Sequence, residues 1–428
     1  MRLPAGRVRF ACLAVGLALV ASSCGNAPPS DFSGAAAPGV TSTSISVGGI
    51  AAVTGPLGNQ YSPALDGARA YFNMVNAEGG VDGRRIKVAT DLDDQTDPAT
   101  DIDQARALVT QDKVFAVVPV ASPEFSAGPY LAAQGVPTFG YDINPTAQWA
   151  GPTMFGQDGS FIDPSGIDVS GPFLAKQLGK SRIAVLSYSV PQSAQCAAGQ
   201  AASFGRFGFD VAVMDSSLPI GVFDLSADIA RISAAHVGLV VMCMDPTGNS
   251  AVSQALHRAG LGGVAQYWLN GYDQASLASS SSPYAGVYLS PGYVPFEEAS
   301  SSPGLQSYLA QMQRYFPKVA ISEASLAGWI SAAMFVKGLQ LAGPVLTRAR
   351  LVAAVNSLTD FTADGIEPPV DWHQAHTGPG TYNCNAWVRA RVTSGGKGSF
   401  VPVFHQPFVC IRNDASTLAQ LTNQPGAG

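Results

Sequence analysis

The sequence predicts an α/β protein of two similar lobes, each built on a doubly wound parallel sheet. Two observations support this fold class. After an N-terminal leader, about 400 of the 428 residues remain, which is more than one hydrophobic core usually holds together. Apolar, β-rich segments also alternate with helical segments in two successive sets. Such alternation is typical of parallel sheets with right-handed crossovers and helices on both faces.

The first set of elements predicts one lobe. A strand covers residues 45–53, ISVGGIAAV, and a helix follows within SPALDGARAYFNMVNAEGG, which ends at Gly79-Gly80. The apolar face of this helix consists of Ala64, Ala68, Tyr71, Phe72 and Val75. The next strand is RIKVATDLDD, and Asp97-Pro98 then supplies an N-cap and a first-turn proline for a helix through Leu108. The strand VFAVVPVAS, a helix in SAGPYLAAQG and the strand VPTFGYD complete the set.

The second set predicts another lobe of the same kind. It begins with the strand RIAVLSYS at 182–189 and a helix from about 194 to 207. The strand FDVAVMDS, a helix near 224–235, the strand VGLVVMCM, a helix near 249–259 and the strand AQYWLNG follow. Each lobe is therefore expected to contain a parallel sheet covered on both faces.

The N-terminus predicts export and a lipid anchor. Three arginines, the first at Arg2, precede an apolar run from Phe10 to Ala21. This run is too short to span a bilayer and is typical of a signal peptide. Small residues lead into Cys24 and resemble a bacterial lipobox, although Ala21 stands where a branched residue is usual. We interpret residues 1–23 as a lipoprotein signal peptide, Cys24 as the lipidation site and residues 24–44 as a flexible tether. The alternative is a signal peptide that merely contains a cysteine.

The remaining cysteines predict disulfide bonds. Four of them are left once Cys12 and Cys24 are assigned to the leader, and four cysteines allow three pairings. Two strands, NAWVRARV and FVPVFHQPFV, flank the turn TSGGKGS. Cys384 and Cys410 are equally far from position 397, so a hairpin would place them opposite each other. This leaves Cys196 with Cys243. Four buried free thiols are the alternative.

Composition and motifs argue against several classes of function. Charged residues make up 13% of the chain and the net charge is −6, so no basic surface for nucleic acid is expected. No phosphate-binding or dinucleotide-binding fingerprint occurs, and no cofactor is expected. DLDDQTDP lacks the glycine of a calcium loop and is interpreted as a strand end followed by a helix cap. HQAH at 373–376 lies in a loop without a third ligand, and no metal site is expected. No serine has a paired base in a catalytic context, so an enzyme is not expected.

Loops after the predicted strands are the expected ligand site. In open parallel sheets, ligands bind at the carboxyl ends of the strands, where helix N-termini also lie. These segments are rich in hydroxyl, amide and aromatic groups, which suit a small polar molecule. They are TGPLGNQYS, VASPEFS, YDINP, SYSVPQS and LNGYDQ.

Three segments, in this order along the chain, resemble the branched-chain-amino-acid type of periplasmic binding protein. Proteins of this type are the substrate-binding components of ATP-driven (ABC) importers. The three segments are TGPLGNQYSPALDGARAYFNMVNAEGGVDGRRIKV, DLDDQTDPATDIDQARALVTQDKVFAVV and SPEFSAGPYLAAQGVPTF. The resemblance implies the type I periplasmic-binding-protein fold, in which two lobes joined by a three-strand hinge close on a ligand. It implies that lobe 1 comprises residues 45–158 and 295–365, and lobe 2 residues 159–294 and 366–428. The helices of SEASLAGWISAAMFVKGLQLAG and TRARLVAAVNSL would then return to lobe 1.

The resemblance also implies the ligand-binding residues. Ser122 occupies the family's first hydroxyl position, whereas Tyr141-Asp142 stands where the family has a small hydroxyl residue. The region that holds an acid in amino-acid binders reads Asn270-Gly271-Tyr272-Asp273, which is a further departure. The full expected set is Gln60, Tyr61, Ser122, Glu124, Tyr141, Asp142, Gln157, Tyr188, Gln192, Asn270 and Tyr272.

The expected function is capture and delivery rather than chemistry. A lipoprotein outside the cell membrane would bind a small polar solute, such as an amino acid, an amide or a related compound, and deliver it to ABC permease subunits. A sensor that signals through a membrane partner is the alternative, and a secreted enzyme is a weaker one. Neighbouring permease and ATPase genes would favour the importer, and a neighbouring kinase gene the sensor.

Overall fold

The first half of the fold is a five-stranded parallel sheet. The computed structural model describes residues 37–55, 58–144, 147–160, 168–221, 224–378, 382–404 and 406–412. The predicted signal peptide, Cys24 and most of the tether lie outside these residues. The first sheet has the order β2-β1-β3-β4-β5. Its strands are β1 Ser44–Ala51, β2 Arg85–Asp93, β3 Ala116–Ala121, β4 Thr138–Gly140 and β5 Met154–Gly156.

Helices cover this sheet. The central strand β3 is buried at every position, as expected where helices pack on both faces. The helices that follow β1 to β3 are α1 Gly58–Tyr61, α2 Pro63–Ala77, α3 Pro98–Thr110 and α4 Gly128–Ala133. The side chain of Asp97 accepts a hydrogen bond from the Thr100 amide and caps α3, so DLDDQTDP ends a strand and begins a helix.

The second half is a seven-stranded sheet with the order β13-β12-β10-β9-β8-β6-β7. Its parallel strands are β6 Arg182–Tyr188, β7 Asp210–Leu218, β8 Leu239–Cys243, β9 Ala265–Trp268 and β10 Val287–Leu289. Its helices are α5 Ser170–Gln177, α6 Pro191–Arg206, α7 Ser226–Ala234, α8 Pro246–Arg258 and α9 Gln274–Ser279. The α/β fold class with parallel-sheet lobes is confirmed, and this sheet adds an antiparallel edge.

A hairpin forms that edge, and a separate pair of strands carries a disulfide. The hairpin strands β12 Val388–Val392 and β13 Gly398–Pro402 are antiparallel. A separate pair, β11 Tyr382–Asn385 and β14 Val409–Arg412, places Cys384 directly opposite Cys410, and the two are bonded. Cys196 of α6 is bonded to Cys243 of β8. The predicted disulfides are therefore present in the structure.

Three helices after β10 return to the first sheet. They are α10 Pro303–Tyr315, α11 Glu323–Ala342 and α12 Arg348–Asn356. Helix α11 is buried along most of its length and packs against α2, β3 and β4. Gly67 of α2 and Gly328 of α11 permit this close packing, because a Cβ at either position would meet the backbone of the other helix at 1.8–1.9 Å.

The chain passes between the two sheets three times: after β5, after β10 and after α12. Hydrogen bonds connect these crossing segments. The Val294 amide donates to the Ile366 carbonyl at 2.7 Å, and the Ser160 amide donates to the Ala375 carbonyl at 2.9 Å. The three connections therefore lie side by side, as a hinge of crossing segments requires.

Candidate functional site

A cavity of about 310 Å³ lies between the carboxyl ends of the two sheets, and we call it the cleft. The first half contributes α1, the residue after β4 and the start of α11, and the second half contributes the starts of α8 and α9. The lining residues are Gln60, Tyr61, Pro63, Tyr141, Pro246, Thr247, Asn270, Tyr272, Asp273, Ala275, Ser276, Ala320, Ser322, Glu323 and Ala324. Its size and mixed aromatic and polar lining suit a small molecule.

Two tyrosines form the aromatic part of the first-half lining. Tyr141 directly follows β4, where its amide donates to the Val120 carbonyl at 2.8 Å. Its ring lies 6.2 Å from the ring of Tyr61 in α1, measured between centroids. Burial, followed by the negative charges of Glu323 and Asp245, raises the pKa of Tyr61 to about 12. The Tyr61 hydroxyl therefore stays protonated and can donate a hydrogen bond at any physiological pH.

Glu323 is the acidic group of the first-half lining. It is the first residue of α11, whose N-terminus is held by a capping box between Ser322 and Ser325. Burial raises the pKa of Glu323 to about 7, although a hydrogen bond from the Tyr141 hydroxyl favours the charged form. Sequence reasoning placed SEAS in a helix and missed its role. Helix N-termini also lie at the carboxyl edge of a parallel sheet, and this rule could have pointed to Glu323 as a cleft residue.

The second-half lining is held by internal hydrogen bonds. The Asp245 carboxylate caps α8 by accepting from the Gly248 amide at 2.8 Å, and it also accepts from the Tyr188 hydroxyl at 2.7 Å. Asn249 donates from its side-chain amide to the Asn270 carbonyl at 2.8 Å. These bonds fix the positions of Pro246, Thr247 and Asn270 at the cleft.

The hydroxyl and ring of Tyr272 are also engaged in contacts within the protein. Its hydroxyl donates to Glu297 and accepts from the Phe296 amide at 2.8 Å. Its ring is 3% exposed and packs on Phe296 and Phe400. Only part of the ring is left to contact a ligand.

Five of the expected site residues meet at the cleft: Gln60, Tyr61, Tyr141, Asn270 and Tyr272. The other six are not among the described residues that line it. Ser122 is fully buried and Asp142 is 5% exposed. The Tyr188 hydroxyl donates a hydrogen bond to Asp245, and Gln192 lies near the start of α6. The Ser122 hydroxyl accepts from the Glu124 amide at 3.3 Å. Gln157 accepts from the Asp142 amide at 2.8 Å and lines a second, smaller cavity.

This smaller cavity of about 30 Å³ lies among the three crossing segments. Gln157 and Asp158 come from the first crossing, Tyr293 from the second and Glu367 from the third. Glu323 lines both this cavity and the cleft. The space is about that of one water molecule.

A further depression of about 380 Å³ lies on the helical face of the first half. Tyr71, Trp329, Lys337 and Phe361 are among its lining residues. It is bounded by α2, α10, α11 and the segment that follows α12. Because all of these belong to one half, relative movement of the two sheets would not enclose a molecule there.

The described residues include no helix that has both the length and the hydropathy needed to cross a membrane. They also include no group of three or more His, Cys, Asp or Glu side chains placed to hold a metal ion. His376 of the HQAH motif instead contacts the Asn356 side chain at 2.7 Å.

Comparison with known proteins identifies the family. The sequence profile described as periplasmic binding protein matches residues 44–397. A search of curated proteins gave no significant match. Similar solved structures include a fatty acid ABC transporter substrate-binding protein from Thermomonospora curvata, with 17% identity, a TM-score of 0.71, and coverage of 91% of this chain and 96% of that one.

Two further structures show the same fold. One is the branched-chain amino acid transporter substrate-binding protein LivJ from Streptococcus pneumoniae in complex with isoleucine, with 16% identity, a TM-score of 0.64, and coverage of 84% and 100%. The other is a substrate-binding periplasmic protein from Ralstonia solanacearum, with 20% identity, a TM-score of 0.67, and coverage of 83% and 100%. The predicted type I fold is therefore confirmed. With most of its length matched by the family profile, this chain belongs to the periplasmic binding protein family.

Proposed function

We propose that this protein captures a small polar solute in the cleft outside the cytoplasm and delivers it to an ABC importer. The observation that carries the proposal is that both halves of the fold line one cavity of about 310 Å³ at the ends of their strands. We further propose that Cys24 is acylated and holds the binding domain close to the permease. The solute is bound and released without chemical change.

Closure of the two halves is the proposed mechanism. Tyr61, Tyr141 and Glu323 lie on one side of the cleft, and Thr247 and Asn270 lie on the other. A solute that touches both sides gains contacts only when the halves are close together, so binding shifts the population towards the closed form. The hydrogen-bonded crossing segments provide the pivot.

The fold does not select the solute. Similar structures are described as a fatty acid transporter component and as an isoleucine complex, and they share this architecture. The lining residues must therefore decide specificity.

The test is a thermal-shift screen of the purified protein against amino acids, amides, short peptides, sugars, amines and aromatic acids. A solute at one hundred times its Kd should add about 2.7 kcal/mol to the free energy of unfolding. Tyr61→Ala combined with Asn270→Ala should remove that stabilisation. Substitution of Ser122 and Tyr188 by Ala tests the positions that sequence reasoning favoured. A screen in which no solute class shifts the melting temperature, or in which a solute is turned over, would contradict the proposal.

A further inference from the structure

We propose that the cleft accepts an organic cation, an ammonium or amidinium compound whose charged group lies at Glu323 beside the rings of Tyr61 and Tyr141. This inference rests on the proposed function and gives the class of solute that the cleft would take. It goes beyond the solutes named for the similar structures.

The charges around the cleft have one sign. The charged side chains that line it are Asp273 and Glu323, both acidic. Two more acids contact lining or adjacent residues: Glu297 accepts from the Tyr272 hydroxyl, and Asp245 caps the helix that begins at Pro246. No ion pair between described residues includes any of the four. The described residues that line the cleft include no positively charged side chain, so a cationic solute would supply one.

The four acids differ in how well the protein compensates them. Asp245 and Asp273 accept hydrogen bonds from amides at helix N-termini, and Glu297 accepts from the side chains of Tyr272 and Gln274. The hydroxyls of Tyr141 and Tyr293 favour the charged form of Glu323, but burial outweighs them and raises its pKa. A buried carboxylate without a cation is costly, and a paired cation removes much of that cost.

The acidic surface continues beneath Glu323. Glu367 lines the smaller cavity that Glu323 also borders, is 3% exposed, and has a carboxyl oxygen, Oε1, without a hydrogen-bond partner among the described residues. Burial, with a contribution from the charge of Asp158, raises the pKa of Glu367 well above its usual range. Glu367 is therefore held uncharged and adds a polar carboxyl group near Glu323 rather than a further negative charge.

Aromatic rings complete a cation site. Tyrosine faces attract ammonium and guanidinium groups, and the attraction is larger where water is excluded. Tyr61 and Tyr141 are half-buried, with their ring centroids 6.2 Å apart beside Glu323. The charges of Glu323 and Asp245, from opposite halves, both raise the pKa of Tyr61, so the negative field extends across the cleft. A carboxylate solute would be repelled by the same field.

Binding of a cation should release a proton. A cation at Glu323 favours the charged carboxylate and lowers its pKa from about 7, so affinity should rise as pH rises from 5.5 to 8. Burial also raises the pKa of Asp158 to about 6, so its ionisation over this range acts with the same sign. The raised pKa values of Tyr61, Tyr141 and Tyr293 keep these hydroxyls protonated. The titratable groups that face Glu323 from other elements are Tyr61, Tyr141, Asp158, Asp273, Tyr293 and Glu367.

The test compares probes of matched shape and different charge by isothermal titration calorimetry on the full chain. Choline, neutral 3,3-dimethylbutan-1-ol and anionic 3,3-dimethylbutanoate form one set. Putrescine, agmatine and 2-phenylethylamine, each with its neutral alcohol counterpart, form the others. We expect at least one cation to bind about tenfold or more tightly than its neutral partner, a difference of about 1.4 kcal/mol. Titration in two buffers of different ionisation enthalpy should show proton release.

Matched variants test whether the preference for cations depends on Glu323. Glu323→Gln keeps the shape of the side chain and should reduce affinity for the cation about tenfold while changing affinity for the neutral partner less than about threefold. Glu78→Gln removes the same charge at an exposed position at the end of α2 and should change neither affinity. Unchanged melting temperatures of both variants at pH 4, below the ordinary pKa of a glutamate, would show that the fold is intact.

Three results would overturn this inference. If neutral or anionic solutes bind and no cation does, the cation assignment fails while capture of a solute stands. If a cation binds equally well to the Glu323→Gln variant, Glu323 is not its site. If no compound of any class binds, this inference and the proposed function both fail.

Discussion

The two sides of the cleft differ in how their polar groups are used. On the second-half side, Asp245, Asp273 and the Tyr272 hydroxyl are all engaged in hydrogen bonds within the protein. On the first-half side, Tyr61 and Glu323 lie at the cleft with less internal support. The difference indicates a division of roles: one side gives the cleft its shape, and the other supplies groups for the solute.

The largest effect on stability is expected from a substitution on the second-half side of the cleft. Tyr272→Ala removes a ring that is 3% exposed and packs on Tyr293, Phe296 and Phe400. We expect the free energy of unfolding to fall by about 3–5 kcal/mol, as for other buried aromatic truncations. Urea unfolding measures it. A loss of less than about 1 kcal/mol would mean that internal contacts stabilise the second-half side no more than the first-half side.

An intermediate effect is expected from the pH dependence of Glu323. Its pKa is raised from 4.5 to about 7 in the folded state, so the folded protein binds more protons and stability is lost as pH rises through this window. Relative to the wild type, Glu323→Gln should gain about 1–3 kcal/mol in free energy of unfolding between pH 4 and pH 8. Unfolding curves at several pH values test this. A difference that does not change with pH would contradict it, and Glu78→Gln is the control.

The smallest effect on stability is expected at Tyr61. Because its side chain is only half-buried, Tyr61→Ala should cost about 1 kcal/mol or less. The same substitution should strongly reduce stabilisation by any solute that the screen identifies. Thermal shifts with and without solute separate the two effects. A large loss of stability without loss of binding would reverse the proposed roles of the two sides.

Much of the fold could be predicted because it depends on local patterns. Alternation of strands and helices predicted the sheets, and the equal distances from position 397 predicted the pair of Cys384 and Cys410. The antiparallel attachment of the hairpin β12–β13 to β10 was not predicted, since it depends on contacts between residues about 100 positions apart.

The site was predicted in part for the same reason. The rule that ligands bind at strand ends brought Tyr61, Tyr141 and Asn270 to one cavity. It could not tell which way a side chain points: Ser122 also follows a strand, yet its hydroxyl bonds to the Glu124 amide and is fully buried. Glu323 was missed because the resemblance returned its helix to the first half but did not indicate that the first residue of that helix reaches the cleft.

Glu323 borders both the cleft and the smaller cavity among the crossing segments. An occupant held at this carboxyl group therefore also restrains the pivot on which the halves turn. The amides of Val294 and Ser160, which join neighbouring crossings, should then exchange their hydrogens with solvent more slowly in the loaded protein. Deuterium uptake at these two backbone positions would report occupancy, even for a solute that carries no chromophore or label.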